Sequence, residues 1–479
     1  MGFSLKRRQF LQMTTASAAA LYMGPGALLG ADAGEALSLP LSPGARKSKV
    51  RVAKLYLGIP KALWPMPQLD LNAERERYEA EFKKRAAAFG DVDFPVSELV
   101  TSPPQAQDVA GRLKDVDGVL LIHLSMGVIP MVNALLAAKK PTVLFAAPYS
   151  GHEWTAFGDL ERKPEGALLS CMLTSDFDQL AAAVRPFRAI HHLREAKILD
   201  VIAQDPSPEY VKAVKEKFGT EVKRVDKERV IKLYQAVNGK AADALTEQWI
   251  KGAEKVVEPS RDEILKSCRL ALAFHQLLDE EEATAITVDC YGSMYRQLPA
   301  FPCFGFTYLN DMGWAGICES DLKSAMTFLL LQGLSGKPGF ISDPTVDEST
   351  DSIILAHCLG SRKMDGPGGE TCPYKIRCIM ERQEGAVTQV RMRNNTRVTQ
   401  AELIGTDTLL YFTGDIIDAP DTDRGCRTKI NVKVDGDIRT LWRNWSNGLH
   451  RVTCYGDVKR DLERFCKFKA IKMVDEAKA

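Results

Sequence analysis

The sequence predicts an α/β protein in three parts: a flavodoxin-like first domain, a second α/β domain and a C-terminal antiparallel, β-barrel-like domain. Three observations carry this reading. Strand and helix signals alternate through residues 49–164, helices dominate residues 165–345, and residues 346–479 change to short alternating runs punctuated by Gly, Asn and Asp. A chain of 479 residues is long enough for about three domains of ordinary size. Its net charge of +1 gives no electrostatic reason to expect a nucleic-acid partner.

At the N-terminus, Lys6-Arg7-Arg8-Gln9-Phe10-Leu11 is a twin-arginine pattern, followed by a weakly apolar run from Met13 to Leu29 and a small-x-small site at Ala31-Asp32-Ala33. Residues 1–33 therefore read as an export signal and 34–48 as a linker, which predicts a periplasmic protein. Thr14, Thr15, Ser17, Gly24 and Pro25 break the apolar run, so no stable membrane span is expected after cleavage; an uncleaved signal would leave the chain anchored. Ten of the eleven cysteines follow residue 260, and Cys290, Cys303 and Cys318 lie in apolar, strand-like surroundings. They read as buried free thiols rather than a disulfide framework. Cys372 and Cys378 offer only half of a zinc-site spacing.

The first domain opens with a strand over Arg51–Ile59 and a charged helix over Asn72–Phe89. A strand near Phe94, a helix over Gln105–Leu113, the run Gly118–Ile122, a helix over Val128–Lys139 and a strand over Thr142–Ala147 follow. No G-x-G-x-x-G occurs, so no dinucleotide is predicted. Parallel sheets bind ligands beyond their carboxyl ends, where Trp64 and His123 stand. Trp64 is suited to stacking on a sugar face or to anchoring its loop, and His123 to a site or to one structural hydrogen bond. The second domain carries helices over Gln179–Arg194, Tyr210–Phe218, Lys227–Ala236, Ala241–Val256 and Asp262–Leu278, with strands over Ala196–Ile202 and Ala285–Asp289. Asp289, at a strand end, is an acid supporting the site, a substrate contact or a turn cap. Beyond Asp343 come the short runs Ile353–Cys358, Tyr374–Glu381, Ala386–Met392, Thr399–Gly405, Leu409–Thr413 and Lys429–Val434, closed by a helix over Asp457–Met473.

The organising stretch is Pro302–Asp343. Ser320-Asp321 supplies capping oxygens, apolar residues recur at Leu322, Ala325, Met326, Leu329, Leu330 and Leu334, and Gly336 stops the run. This predicts a helix from Ser320 to Leu334 about 22 Å long at 1.5 Å per residue. The strand returning to Asp343 covers about 15–20 Å at ~3.3 Å per residue. Glu319, ahead of the helix, and Asp343, at the end of the return, are thus expected at one edge. Two carboxylates so placed either bind a divalent cation and move protons or simply cap local structure.

The motifs here are Pro302-Cys303, Leu309-Asn310-Asp311, Cys318-Glu319-Ser320-Asp321, Ala325-Met326-Thr327, Ser335-Gly336-Lys337-Pro338 and Asp343. Together they resemble the C-terminal signature of the L-fucose isomerase and L-arabinose isomerase family, in which a proline-cysteine strand leads into the metal motif. The resemblance covers roughly residues 280–460. It implies that Glu319 and Asp343 bind manganese, or another divalent ion such as magnesium, and perform acid–base chemistry. It further implies that His450 is the last metal-binding histidine and His357 the additional one of arabinose isomerases. Trp442 and Asn447, in the loop before His450, become substrate-contact candidates.

The implied reaction is interconversion of an aldose and a ketose through a cis-enediol. The implied assembly is a homotrimer or homohexamer in which a neighbour's first domain completes each pocket. Two departures stand out: the family's familiar members are cytoplasmic, and their sugar contacts outside the metal motif find no match here. Epimerisation or elimination through the same enediolate is the nearest alternative reaction. A periplasmic sugar-binding protein, also built from paired α/β domains, is the alternative from another class.

Overall fold

The structure is a computed structural model that describes residues 48–478. The export signal and nearly all of the expected linker lie outside the described residues. β1 (Val50–Leu57), β2 (Val92–Val100), β3 (Gly118–His123), β4 (Thr142–Ala146) and β5 (Leu169–Leu173) form one parallel sheet in the order β2-β1-β3-β4-β5. That order is the flavodoxin one. β5 lies past residue 164, where the first domain was expected to end, yet its pairing with β4 from Thr142↔Leu169 to Ala146↔Leu173 makes it part of the first sheet.

A second parallel sheet follows, built from β6 (Lys197–Val201), β7 (Glu221–Val225), β9 (Ala285–Val288) and β10 (Ala315–Cys318) in the order β10-β9-β6-β7; the two-residue β8 (Lys255–Val256) pairs outside it. The single helix expected over 179–194 is two, Gln179–Ala183 and Arg185–Glu195. Pro186, which has no N–H to donate, starts the second.

The C-terminal part contains β11 (Phe340–Asp347), β12 (Ser352–His357), β13 (Tyr374–Ile379), β14 (Glu384–Val390), β15 (Thr396–Ile404), β16 (Thr408–Asp418), β17 (Thr428–Val434), β18 (Arg451–Tyr455) and β19 (Lys472–Asp475). Six of these close an antiparallel barrel in the order β15-β18-β11-β12-β17-β16, with β16 returning to β15. β13, β14 and β8 make a small separate sheet. The barrel begins at Phe340, ahead of the expected boundary at 346. The last helix stops at Lys469, because Ala470 adopts a left-handed conformation, and β19 then runs parallel to β16.

The helix Leu322–Ser335 joins these parts. Asp321 caps it through Oδ1, which accepts the Lys323 and Ser324 N–H groups at 3.0 and 3.1 Å, and Gly336 ends it at φ 72°. Its apolar residues surround the whole axis, which suits a helix packed on every side. It is buried among Ile198, Ala285 and Ile317 of the second sheet and Ala401, Leu403, Val452 and Cys454 of the barrel. Each large apolar side chain so enclosed contributes about 1.5–3 kcal/mol, so the helix fixes the second sheet and the barrel against each other.

Pro302 and Cys303, expected in a strand, instead start the helix Cys303–Asp311. The apolar run Cys303-Phe304-Gly305-Phe306 is buried throughout, and a continuous apolar run does not distinguish a buried strand from a buried helix.

Candidate metal centre

Four side chains named above converge where the second sheet meets the barrel. Glu319 follows the last residue of β10, and Asp343 lies in β11, paired with Ala356 of β12. His357 ends β12. His450 immediately precedes β18, and the β11–β18 register of Ile341↔Val452 and Ser342↔Arg451, carried one step further, sets Asp343 opposite His450. Barrel registry thus brings together residues far apart in the chain.

The distances describe an open ring of donors. Glu319 Oε1 lies 3.9 Å from His357 Nε2. Glu319 Oε2 lies 3.8 Å and Asp343 Oδ1 3.5 Å from His450 Nε2. The two imidazole rings stand 5.4 Å apart, centroid to centroid. These gaps exceed direct hydrogen bonds, and donors that share one ion at ~2.1 Å stand roughly 3–4 Å from each other. Carboxylate oxygens with imidazole nitrogens form a donor set suited to a divalent transition ion. Glu319 and Asp343 are partly open to solvent, whereas His357 is buried.

The histidines are held from behind, which leaves their Nε2 atoms facing the carboxylates. His450 Nδ1 lies 2.9 Å from Asp321 Oδ2, the oxygen of the helix cap not used for backbone capping. Such a carboxylate fixes both ring orientation and tautomer. His357 Nδ1 lies 3.5 Å from Cys358 Sγ.

Burial opposes charge on His450, but the Asp321 hydrogen bond and the Glu319 and Asp343 carboxylates outweigh it and lift its pKa to about 9. Burial likewise pushes Asp321 up, yet His450 and the Ser324 N–H bring it down to about 2. Glu319 is raised above the ordinary carboxylate range, first by burial and then by Asp343, with His450 opposing. Behind Asp321, burial lifts Glu402 to about 8.

Backbone strain marks the same point. Glu319 and Ser320 both have positive φ, 68° and 50°, a conformation costing about 1–3 kcal/mol at each non-glycine residue. It lets Ser320 Oγ donate to Asp200 Oδ1 at 2.6 Å while Glu319 faces the histidines.

The remaining candidates have other partners. Asp289 accepts the Ser293 N–H at 2.6 Å and so caps the turn after β9. Trp442 donates from Nε1 to Glu348 at 3.1 Å, and the Asn447 carbonyl accepts Lys323 Nζ at 2.6 Å. Trp64 and His123 belong to the first sheet's carboxyl edge. Trp64 packs on His152, and His123 bridges Ser150 at 2.7 Å and Glu153 at 2.9 Å. Asp321 was legible as a helix cap but not as the partner of His450; the Glu-x-Asp spacing at Glu319 and Asp321 was its only signal.

No protein-family model matches the chain. Among curated proteins it is similar to the sulfoquinovose isomerase of Alkalicoccus urumqiensis, 25% identical over 270 residues, which span 52% of this chain and 58% of that protein. It is 26% identical over 222 residues to the sulfoquinovose isomerase of Clostridium sp. (strain MSTE9), covering 45% of this chain and 48% of that one. To the sulfoquinovose isomerase of Priestia aryabhattai it is 23% identical over 234 residues, covering 45% and 50%. The chain spans about half the length of the curated relatives it matches, and these relatives are proteins named for sugar isomerisation.

Proposed function

We propose that this protein is a metal-dependent aldose–ketose isomerase acting on a free sugar. Sulfoquinovose is the first substrate to test, because the relatives are named for it. The observation that carries the reading is the convergence of Glu319, His357 and His450, with donor atoms all within 4.8 Å of one another, beside Asp343. Glu319, Asp343, His357 and His450 would hold a manganese or similar divalent ion. When bound, that ion supplies Lewis acidity, polarising the open-chain sugar's carbonyl and acidifying the adjacent C–H.

The protein's own part is positional and acid–base. Asp321 holds His450 by Nδ1. Glu319 and Asp343 flank the reacting carbons and move one proton from C2 to C1, while a second passes from O2 to O1. The cis-enediol collapses to the ketose with no net gain or loss of protons. Trp64 and His123, at the first sheet's carboxyl edge, are proposed to serve a neighbouring copy's pocket in a trimer or hexamer. The export signal is proposed to deliver the folded chain to the periplasm.

The test is to incubate the purified full chain with manganese and sulfoquinovose, fucose or arabinose in deuterated buffer and follow products by NMR. A ketose deuterated at C1, formed by wild type and at least 1,000-fold slower by Glu319→Gln (an order-of-magnitude expectation for losing both proton carrier and ligand), supports the proposal. A C2 epimer or an eliminated product replaces it with the alternative enediolate chemistry. Saturable binding without turnover replaces it with a sugar-binding protein.

A further inference from the structure

A second group of metal-ligating side chains lies directly behind the first. Cys303, Cys318 and Cys358 are buried, at 0%, 1% and 3% exposure, and their sulfurs lie within 4.8 Å of one another. Cys303 Sγ and Cys358 Sγ are 3.5 Å apart. The three arrive from different elements: Cys303 starts the helix Cys303–Asp311, Cys318 ends β10, and Cys358 follows β12. Cys290, two residues beyond β9 and also buried, adjoins Cys318.

Two features distinguish this group from thiols that merely fill a core. The first is spacing. Sulfurs bound to one tetrahedral zinc ion at ~2.3 Å stand about 3.8 Å apart, and here one pair is 3.5 Å apart with all three within 4.8 Å, close enough to share an ion. The second is His357. Its Nε2 faces Glu319, so its Nδ1 must carry the hydrogen if it is to ligate through Nε2, and that hydrogen needs an acceptor. The partner at Nδ1 is Cys358 Sγ, at 3.5 Å. A thiol sulfur accepts weakly, whereas a metal-bound thiolate carries the negative charge a donor seeks.

We propose that Cys303, Cys318 and Cys358, with Cys290 placed to supply a fourth sulfur, form a structural site for a thiophilic divalent ion of the zinc class. Each cysteine that binds loses its Sγ proton to solvent, so uptake of the ion releases three or four protons and involves no redox change. The site ties β9, β10 and the helix Cys303–Asp311 to β12 of the barrel. Through Cys358 it also orients His357 toward the carboxylates. The spacing argument stands on the cysteines alone, while the His357 argument rests on the metal centre proposed above.

Cobalt(II), added alone to the reduced, chelator-treated full chain without oxygen, is the probe. One equivalent should produce a thiolate-to-cobalt charge-transfer band, which zinc then abolishes. The band should persist in Glu319→Gln, whose substitution affects only the oxygen and nitrogen ligands, and fall at least fivefold in Cys303→Ser. Absence of the band from reduced wild type, or its persistence at full strength in folded Cys303→Ser, overturns the site and leaves buried thiols only. Should Cys303→Ser not fold, wild type still decides: the charge-transfer band, which only sulfur ligands give, must reach the intensity of at least three thiolates per cobalt, and a lower intensity refutes the proposal.

Discussion

Asp321 carries two duties on one carboxylate, and they separate by substitution. Asp321→Asn keeps the helix cap but loses the charge paired with His450, so metal-free stability should fall by roughly 1–3 kcal/mol, while metal binding should weaken roughly 10–100-fold. Isothermal titration with manganese, alongside urea denaturation, checks both; equal affinity would mean that His450 is oriented by something else.

A second residue-scale prediction concerns pH. Glu79 accepts hydrogen bonds from Lys54 Nζ at 2.7 Å and Tyr56 Oη at 2.8 Å, with Arg75 nearby. Burial raises its pKa, but these partners win and bring it below its ordinary 4.5. A carboxylate depressed on folding contributes stability above its unfolded pKa and loses it as pH falls through the folded value. Glu79→Gln should therefore cost roughly 1–3 kcal/mol at pH 7, reduced from the buried-pair figure because Glu79 is partly exposed. The deficit should shrink progressively below pH 4.5 in urea melts.

At the scale of elements, the helix Leu322–Ser335 is pressed against the helix Arg185–Glu195. A Cβ at Gly333 would lie 2.9 Å from Ala189 Cα, a backbone atom that does not yield. Alanine is about 1 kcal/mol better than glycine inside a helix, but overpacking typically costs 1–3 kcal/mol. Gly333→Ala should therefore fail to stabilise and cost up to about 2 kcal/mol net, despite the better helix former, as thermal denaturation would show. The element boundaries near this helix were readable because cap, apolar spacing and stop residue agreed. Around Cys303 they were not, because an apolar run buried on all sides has no periodicity to reveal.

For the whole molecule, the carboxylates and histidines come from the second sheet and from three strands of the barrel. An ion bound there ties these parts together and favours the folded state by mass action. At a free concentration 100 times the dissociation constant, manganese should add about 2.7 kcal/mol of stability. Chelation should remove it, and in His450→Ala the increment should fall towards zero at that concentration. Denaturation with and without manganese measures it, and an increment that survives in His450→Ala would place the fourth donor elsewhere. Among the described residues no helix is long and apolar enough to cross a membrane.

The sequence by itself determined the fold class, since alternating signals, long helices and then short runs with turn residues each impose a periodicity that local chemistry displays. Resemblance to a family motif also nominated Glu319, Asp343, His357 and His450, and the structure brings these four side chains together. Tertiary structure alone decided that β5 belongs to the first sheet, that Asp321 stands behind His450, and that three cysteines 15 and 40 positions apart share one buried point. These depend on strand pairing and packing between elements remote in the chain, and no local pattern encodes which remote partner a side chain will meet.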